Sequence, residues 1–240
     1  MKITRQGNLV QLTRLWAFNS FIVIEDDSLT LVDSNFSGSA SGILKAAGQF
    51  DKPIQRIILT HADPDHIGSL DKLREALPDV DIIASERETR RMHGDTSLLP
   101  GEPQVEFSAT KMPETMPTMT VNDGDRIGSL QVIATPGHSV GHIAFLDTRD
   151  NTLIAGDAMG TQFRTAVAGE LIWRFPFSAF VTWHKPTALN SARKMRALNP
   201  ARLAVGHGSM LENPLEEMDR AIERAERLFE KEIKSVTSTG

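Results

Sequence analysis

The sequence has no cysteine among its 240 residues. The chain can therefore form no disulfide and offers no thiolate to a metal ion, so any protein ligands must be histidine or carboxylate side chains. Long apolar runs are also absent, since no segment reaches the roughly 18 apolar residues of a membrane-spanning helix. Residues 1–7 lack the apolar core of a signal peptide. We therefore expect a cytoplasmic protein with no membrane partner.

Positive charge is scarce as well. Lysine and arginine number 26 against 31 aspartate and glutamate residues, which gives a net charge of -5. Proteins that bind nucleic acid or anionic lipid usually carry a basic patch. The apolar fraction of 40% is that of an ordinary globular protein, and the chain is long enough to bury a substantial core. We expect a small-molecule substrate and no nucleic-acid partner.

Four potential metal ligands occur within one short segment, His61-Ala-Asp-Pro-Asp-His66. The segment follows an apolar run at residues 54–59, which predicts a buried strand. Side chains converge on one ion most easily from a loop that a rigid strand supports. The sequence therefore predicts a metal-binding loop at the end of a strand.

The apolar pattern along the chain predicts an α/β fold. Residues 8–33 are β-rich, and strands then alternate with helices as far as residue 92. After an irregular segment at 93–120 and a turn at 122–125, strands followed by helices return. We expect two similar halves that divide near residues 120–125, with helices at 37–50, 69–77, 86–92, 187–198 and 213–236.

Further chemically active residues follow other apolar runs, each beside a glycine: His138, His142, Asp157 and His207. Glycine lets the backbone turn sharply and lets a second loop approach closely, as a metal site built from several loops requires. A single Gly-His pair is a weak indication, because most histidines are structural or exposed. The combination, in this order along the chain, is far more specific.

In this order the motifs resemble those of the metallo-β-lactamase-fold hydrolases. Their signature is His-x-His-x-Asp-His after a strand, then a separate His, a separate Asp and a final His. Residues 61–66 match the first motif, and His138, Asp157 and His207 match the rest, while an early strand ending in Asp33 is a further shared feature. The resemblance covers nearly the whole chain. It implies a four-layer αββα sandwich, with residues 1–240 as one domain of two ββα halves.

The resemblance also implies a ligand set for two divalent metal ions. The first ion would be bound by His61, Asp63 and His138, and the second by Asp65, His66 and His207, with Asp157 bridging. Asp65 and Asp157 would have catalytic roles. Because neither ion has a closed shell of protein ligands, a bridging water could act as the nucleophile between ions about 3.5–4 Å apart. Zinc is the expected metal, with iron or manganese as alternatives.

Asp63 departs from the family pattern, which has a histidine at this position. The third aspartate lowers the formal charge of the site, counted with two divalent ions and a hydroxide, from about +1 to about zero. The bridging water should then be less acidic and an anionic transition state less stabilised. A carboxylate also shifts preference from zinc toward iron or manganese. A carboxylate here is typical of the diiron branch of the fold, whose usual flavin domain has no room in this chain.

We expect a metal-dependent hydrolase that acts on a small ester-like substrate, with lactones and thioesters as the leading classes. A glutathione-type thioesterase would use a basic clamp, for which Lys185, Arg193 and Lys194 are candidates. A lactonase would use an apolar tunnel, but the tyrosine hydroxyl that such lactonases use is absent. The missing export signal disfavours a β-lactamase, and the acidic balance disfavours a nuclease. A diiron redox protein and a non-catalytic metal-binding fold remain the alternatives from other classes.

Two segments and three histidines complete the analysis. Residues 93–120, rich in proline and methionine, predict either a binding loop or lid or a surface insertion. The aromatic segment 163–183 predicts either a core layer, a pocket wall or a subunit contact, and the last would suit a homodimer. We expect His142 to have a structural role or to support a ligand, and His93 to be exposed. For His184 we expect a structural hydrogen bond, with contact to substrate as the alternative.

Overall fold

The computed structural model describes residues 1–107, 112–175 and 177–237 of the chain. The chain divides into two compact units. The first unit is Met1–Thr96 with Ser108–Asn122, and the second is Ser97–Phe107 with Asp123–Gly240. The expected organisation, one domain of two halves that divide near residues 120–125, stays a prediction.

A seven-stranded sheet is the frame of the first unit. Its strands follow chain order from edge to edge: β1 (Lys2–Gln6), β2 (Leu9–Arg14), β3 (Phe18–Ile24), β4 (Leu29–Val32), β5 (Ile54–Ile58), β6 (Asp81–Ser85) and β7 (Met119–Val121). Strands β1 to β4 pair antiparallel, and β4 to β7 pair parallel. Because β4, β5 and β6 are parallel, their carboxyl ends meet at the same edge of the sheet.

Four helices belong to the first unit: α1 (Ala40–Ala47), α2 (Pro64–Ile67), α3 (Leu70–Ala76) and α4 (Glu86–Met92). The apolar faces of α1 and α3 supply Ile43, Leu70 and Leu73, which are fully buried in one core with strand residues such as Leu31 and Ile57. Burial of each such side chain contributes about 1.5–3 kcal/mol. The sheet and these helices therefore form a rigid support for the loops at the strand ends.

The second unit contains a mixed six-stranded sheet and a small two-stranded one. The order across the large sheet is β15 (Leu211–Glu212), β14 (Arg202–Ala204), β11 (Thr152–Ile154), β10 (Ile143–Asp147), β9 (Leu130–Ala134) and β8 (Arg126–Ile127), and the small sheet pairs β12 (Met159–Gly160) with β13 (Ala166–Val167). Strands β11 and β14 are parallel, whereas β10 is antiparallel to both β9 and β11. Strands β9, β11 and β14 thus share one direction, so their carboxyl ends lie at one edge.

Three helices complete the second unit: α5 (Phe177–Val181), α6 (Lys185–Ala197) and α7 (Leu215–Thr237). Helices α6 and α7 bury Leu189, Met195 and Met218 in one core with strand residues such as Leu153 and Leu203. The helix expected at 187–198 begins two residues earlier, because Pro186 occupies its first turn and His184 caps it. The expected helices elsewhere are confirmed, with shorter bounds at 40–47 and 70–76.

The irregular segment 93–120 contributes to packing in its described part. Met112 and Met116 are partly buried against the core of the first unit. Asp71 of α3 accepts hydrogen bonds from the backbone N–H groups of Glu114 and Thr115. These contacts assign this stretch to the body of the first unit, and residues 108–111 lie outside the described residues.

The aromatic segment 163–183 does not form the core layer that was one of its expected roles. Only Phe175 is buried among its described aromatic side chains, while Trp173 is 89% exposed and Phe180 is 79% exposed. Residues 172–175 form a turn before the short helix α5, so these side chains cannot all face one sheet. Pro176 and the side chain of Phe177 lie outside the described part of the chain.

Within residues 1–107, 112–175 and 177–237, no helix has both the length and the apolar content needed to cross a membrane.

Candidate metal-binding residues

The carboxyl edge of the first unit's sheet carries polar residues after three neighbouring parallel strands. Asp33 follows β4, the loop 61–66 follows β5, and α4 follows β6. Loops after adjacent parallel strands meet at the same edge, which is where ligand sites of such sheets form. Asp33 is 2% exposed and has a φ of 60°, so it lies buried in the left-handed region. Residues that are distant in sequence therefore converge here.

Asp33 determines the tautomer of the two histidines in the loop. Its carboxylate accepts from Thr60 at both oxygens, through N–H and Oγ1, each at 2.8 Å, and its Oδ2 faces His66 Nδ1 at 2.7 Å. A carboxylate only accepts, so His66 Nδ1 is the protonated nitrogen. The Thr60 hydroxyl gives its proton to Asp33, so it accepts from His61 Nδ1 at 3.0 Å. Both rings therefore present the lone pair of Nε2.

A buried ion-pair cluster supports the same loop from α4. Arg91, which is 5% exposed, donates from Nη2 to Asp63 Oδ1 at 2.9 Å and from Nη1 to Glu88 Oε1 at 2.6 Å. Glu88 Oε1 also accepts from the backbone N–H of Ala62 at 3.0 Å. Burial alone would lower the pKa of Arg91, but the charges of Glu88 and Asp63 outweigh it and hold that pKa above its ordinary value. The guanidinium is therefore a permanent cation beside Asp63.

The second unit has an equivalent edge, where β9, β11 and β14 end. His138, Asp157 and His207 follow these three strands and are all buried. Gly137, with a φ of 135°, allows the turn before His138, and an added Cβ there would lie 2.3 Å from the backbone of α6. Glycine is therefore required for the close approach of this loop to the helix.

The three residues of the second unit face one another. Asp157 Oδ2 lies 2.9 Å from His207 Nε2 and 3.6 Å from His138 Nε2. His142 Nε2 accepts from the backbone N–H of Asp157 at 3.1 Å, and its Nδ1 lies 2.8 Å from Thr135 Oγ1. His142 therefore has a structural role, as expected, and its support of a metal ligand stays a prediction.

The donor atoms in each unit fit divalent ions. Two ligands at about 2.0–2.2 Å from one tetrahedral zinc ion lie about 3.3–3.6 Å apart. Three histidine–carboxylate pairs, each within one unit, have separations of 3.5–3.6 Å from Nε2 to Oδ2: His61 with Asp63, His66 with Asp65, and His138 with Asp157. Imidazole and carboxylate donors that face each other at ligand spacing are what zinc, iron and manganese sites use.

Each sequence-predicted residue can now be placed. Loop residues His61, Asp63, Asp65 and His66 come together in the first unit, and His138, Asp157 and His207 come together in the second. Their assignment as metal ligands stays a prediction. His93 is exposed and His184 accepts from the N–H of Thr187, so both expectations for these histidines are confirmed.

Three supporting residues were missed by sequence reasoning: Thr60, Glu88 and Arg91. The expected neutral charge of the site took no account of Arg91 beside Asp63. The available signal was the spacing of Glu88 and Arg91, three apart on a helix that directly follows a buried strand.

The surroundings bear on the substrate. A pocket in the second unit reaches Asp157 and His207, and its apolar walls include Met159, Ile172 and Phe175. The Phe175 ring packs against the His207 ring at a centroid distance of 5.0 Å. Apolar surface beside polar donors is typical of small-molecule sites.

Two of the three basic residues considered as a carboxylate clamp have acidic partners, while the third, Lys185, has its Nζ 5.8 Å from the centroid of the Phe229 ring. Arg193 Nη2 lies 2.7 Å from Glu226 Oε1, and Lys194 Nζ lies 2.9 Å from Asp123 Oδ1. These exposed pairs are ordinary surface ion pairs. Two of the three candidates are thus engaged in surface ion pairs, and a clamp stays a prediction.

Comparisons with known proteins identify the family of the chain. The family model described as the metallo-beta-lactamase superfamily matches residues 15–207. Uncharacterized protein YobT of Bacillus subtilis is 44% identical over 232 residues, which cover 95% of this chain and 100% of YobT. Probable metallo-hydrolase YflN of the same organism is 30% identical, with 77% of this chain and 76% of YflN covered.

A solved structure, that of TTHA1623 in a di-iron-bound form, has a TM-score of 0.61 to this chain at 24% sequence identity. The matched region covers 86% of this chain and 94% of the TTHA1623 chain. At this identity the likeness concerns the fold alone.

The chain belongs to the metallo-β-lactamase superfamily, because the family model spans most of its length. The predicted α/β fold of that superfamily is confirmed. The prediction of a metal-dependent hydrolase is confirmed at the level of enzyme class.

Proposed function

We propose that the protein hydrolyses a small ester-like substrate, a lactone or a thioester, with two divalent metal ions. The observation that carries this proposal is the Asp33–Thr60 network, which turns the Nε2 lone pairs of His61 and His66 toward neighbouring carboxylates. Supporting hydrogen bonds of this kind hold metal-binding histidines in position and make them better ligands. In a purely structural role these buried rings would need no such shared orientation.

The proposed ligands are those that the family resemblance implies. One ion would be held by His61, Asp63 and His138, a second by Asp65, His66 and His207, and Asp157 would contribute to both. Zinc is the proposed metal, and the carboxylate of Asp63 keeps iron and manganese as alternatives. When bound, the ions would supply a hydroxide nucleophile from water and polarise the scissile carbonyl.

The chain's own residues would orient the Asp157 carboxylate, accept a proton and contact the substrate. Asp157 is held at its backbone by His142 and at its side chain by His207, so its carboxylate has one defined direction. Asp65 has a side chain that is 18% exposed, and we assign its carboxylate the role of accepting the proton released by the attacking water, through the oxygen that does not face His66. Phe175 and its apolar neighbours would contact the acyl part of the substrate.

The surroundings narrow the substrate class. The apolar side chains beside Asp157 and His207, rather than the cavity of about 20 Å³ that they line, would contact the alkyl or acyl portion of a lactone or of a simple thioester. The ion pairs of Arg193 and Lys194 argue against a glutathione-type carboxylate clamp at α6. A small-molecule substrate, a homodimer, a cytoplasmic location and the lack of nucleic-acid and membrane partners complete the proposal.

A diiron redox protein is the second candidate. A carboxylate at position 63 is a harder ligand than imidazole and favours iron. Tightly bound iron with redox-dependent absorbance would distinguish it from a hydrolase.

The test is metal content combined with a substrate screen. Protein purified without chelator or added metal would be assayed for zinc, iron and manganese by plasma mass spectrometry, and then screened against lactones and thioesters. We expect about two ions per chain and turnover that chelation abolishes. Asp157→Ala should lose both metal and turnover, whereas Asp51→Ala, at an exposed position, should lose neither. Metal-dependent turnover in Asp157→Ala would refute the site, and metal-loaded protein inert to all substrates would favour a non-catalytic fold.

A further inference from the structure

Asp63 has a partner that a histidine at the same position could not use. Its Oδ2 faces His61 Nε2 at 3.6 Å, while its Oδ1 accepts from Arg91 Nη2 at 2.9 Å. Both side chains are largely buried, with Arg91 at 6% and Asp63 at 15% side-chain exposure. Arg91 in turn is anchored by Glu88, whose side chain is 1% exposed. The contact is therefore part of a built cluster and not a surface ion pair.

We infer that Arg91 is a positioning residue that makes position 63 an aspartate ligand and excludes histidine there. The inference rests on the proposed function, because it requires Asp63 to bind a metal ion. Asp63 replaces the histidine of the family motif, and Arg91 on the neighbouring helix α4 would compensate for that replacement.

Arg91 limits the number of ligand atoms that Asp63 can offer to an ion. A carboxylate can bind an ion through one oxygen or through both, whereas a histidine binds through one nitrogen. Arg91 occupies Oδ1, so Asp63 has one oxygen, Oδ2, directed toward His61. The aspartate is thereby restricted to the single donor atom that a histidine would supply.

Arg91 would also determine where a histidine at position 63 carries its proton. A guanidinium has only donors, so the atom that faces Arg91 must be an acceptor. A histidine at position 63 would have to turn a lone pair to Arg91 and keep its proton on the nitrogen that should bind the ion. His61 and His66 show the opposite arrangement, since their Nδ1 atoms donate to Thr60 and Asp33. Arg91 would thus impose the wrong tautomer on a histidine.

Glu88 anchors both the loop 61–66 and the Arg91 side chain. Glu88 Oε1 accepts both from Arg91 Nη1 at 2.6 Å and from the backbone N–H of Ala62 at 3.0 Å. Ala62 lies between His61 and Asp63, so one carboxylate fixes the backbone and the guanidinium together. Charge-assisted hydrogen bonds in a buried cluster hold such geometry well.

The experiment compares zinc binding by four proteins: wild type, Asp63→His, Asp63→His/Arg91→Gln and Asp63→His/Arg90→Gln. Glutamine can offer its carbonyl oxygen to the histidine and its amide N–H to Glu88. Arg90 is the matched control, because it is next in sequence but pairs with Asp95. Zinc affinity would be measured by competition with a chromogenic chelator, and thermal melts of the metal-free forms would check folding.

Asp63→His restores the family motif, yet we expect it to bind zinc at least about tenfold more weakly than wild type. The double variant Asp63→His/Arg91→Gln should recover a zinc affinity within about threefold of wild type. The control Asp63→His/Arg90→Gln should not recover it. If the Arg91→Gln double variant does not fold, Asp63→His/Arg91→Met replaces it and is expected to recover binding in the same way.

Two results would overturn the inference while leaving the proposed function intact. One is wild-type zinc affinity in Asp63→His, and the other is no recovery when Arg91 is replaced. A wild-type protein that binds no metal at all would instead refute the proposed function, and the inference with it.

Discussion

Replacing Asp33 by asparagine should weaken both the fold and metal binding, because this carboxylate accepts three hydrogen bonds from buried donors. An asparagine has the same shape but only one accepting oxygen, so its NH₂ group must face at least one of the donors on Thr60 or His66. A buried donor left without an acceptor costs about 1–3 kcal/mol, and loss of a charge-assisted bond adds about 1 kcal/mol. We expect Asp33→Asn to lower the free energy of unfolding by about 2–4 kcal/mol.

The same substitution should loosen the tautomers of His61 and His66, since both depend on Asp33. We expect zinc affinity to fall by about 10- to 100-fold and the melting temperature of the metal-free protein to fall by about 5–15 °C. Thermal melts and chelator competition measure the two effects, with Asp26→Asn as an exposed control on the first unit. A metal-free Asp33→Asn protein that melts within about 2 °C of wild type and binds zinc within about threefold would refute the role assigned to this network.

Three further predictions concern other parts of the two units. Gly137→Ala should cost more than about 3 kcal/mol and yield little folded protein, because the new Cβ would lie 2.3 Å from the backbone of α6; normal expression and melting would contradict this. Phe175→Ala should cost about 3 kcal/mol and loosen His207, whose ring it contacts at 5.0 Å, so zinc affinity should fall as well, as measured by chelator competition. Burial alone would raise the pKa of Asp71, but hydrogen bonds from Thr115 and Glu114 outweigh it and hold that pKa below its ordinary value. The stabilisation that the ionised Asp71 provides is thus present above the ordinary aspartate pKa and is lost as pH falls through the lowered pKa. Asp71→Asn should therefore be less stable than wild type by about 0.5–1 kcal/mol in urea melts at neutral pH. In acid the two proteins should differ little.

The repeated placement of His or Asp at the ends of apolar runs was readable from the sequence. An apolar run followed by Gly and His or Asp is a local pattern, and local patterns report strand ends and sharp turns reliably. The loop 61–66, Asp157 and His207 were all identified in this way, and the α/β fold followed from the alternation of strands and helices.

The sequence was less informative where a side chain's environment depends on distant partners. The aromatic segment 163–183 combines many apolar side chains with no periodicity, and most of its described aromatic side chains are exposed. Met112 and Met116 had a suitable composition for a binding loop, yet they pack against the core of the first unit. Composition alone does not indicate which surface a side chain will cover.

The sequence by itself determined which residues could bind metal, because imidazole and carboxylate groups in a cysteine-free chain are the only strong ligands available. Only the tertiary structure decided how those candidate ligands are oriented. The lone pairs of His61 and His66 are set by Asp33, and the orientation of the Asp63 carboxylate is set by Arg91, each reaching across from a neighbouring strand or helix. These partners lie about 28 to 33 positions apart in the chain. Parallel strands bring such residues to one edge of a sheet, and no local pattern records which of them will meet.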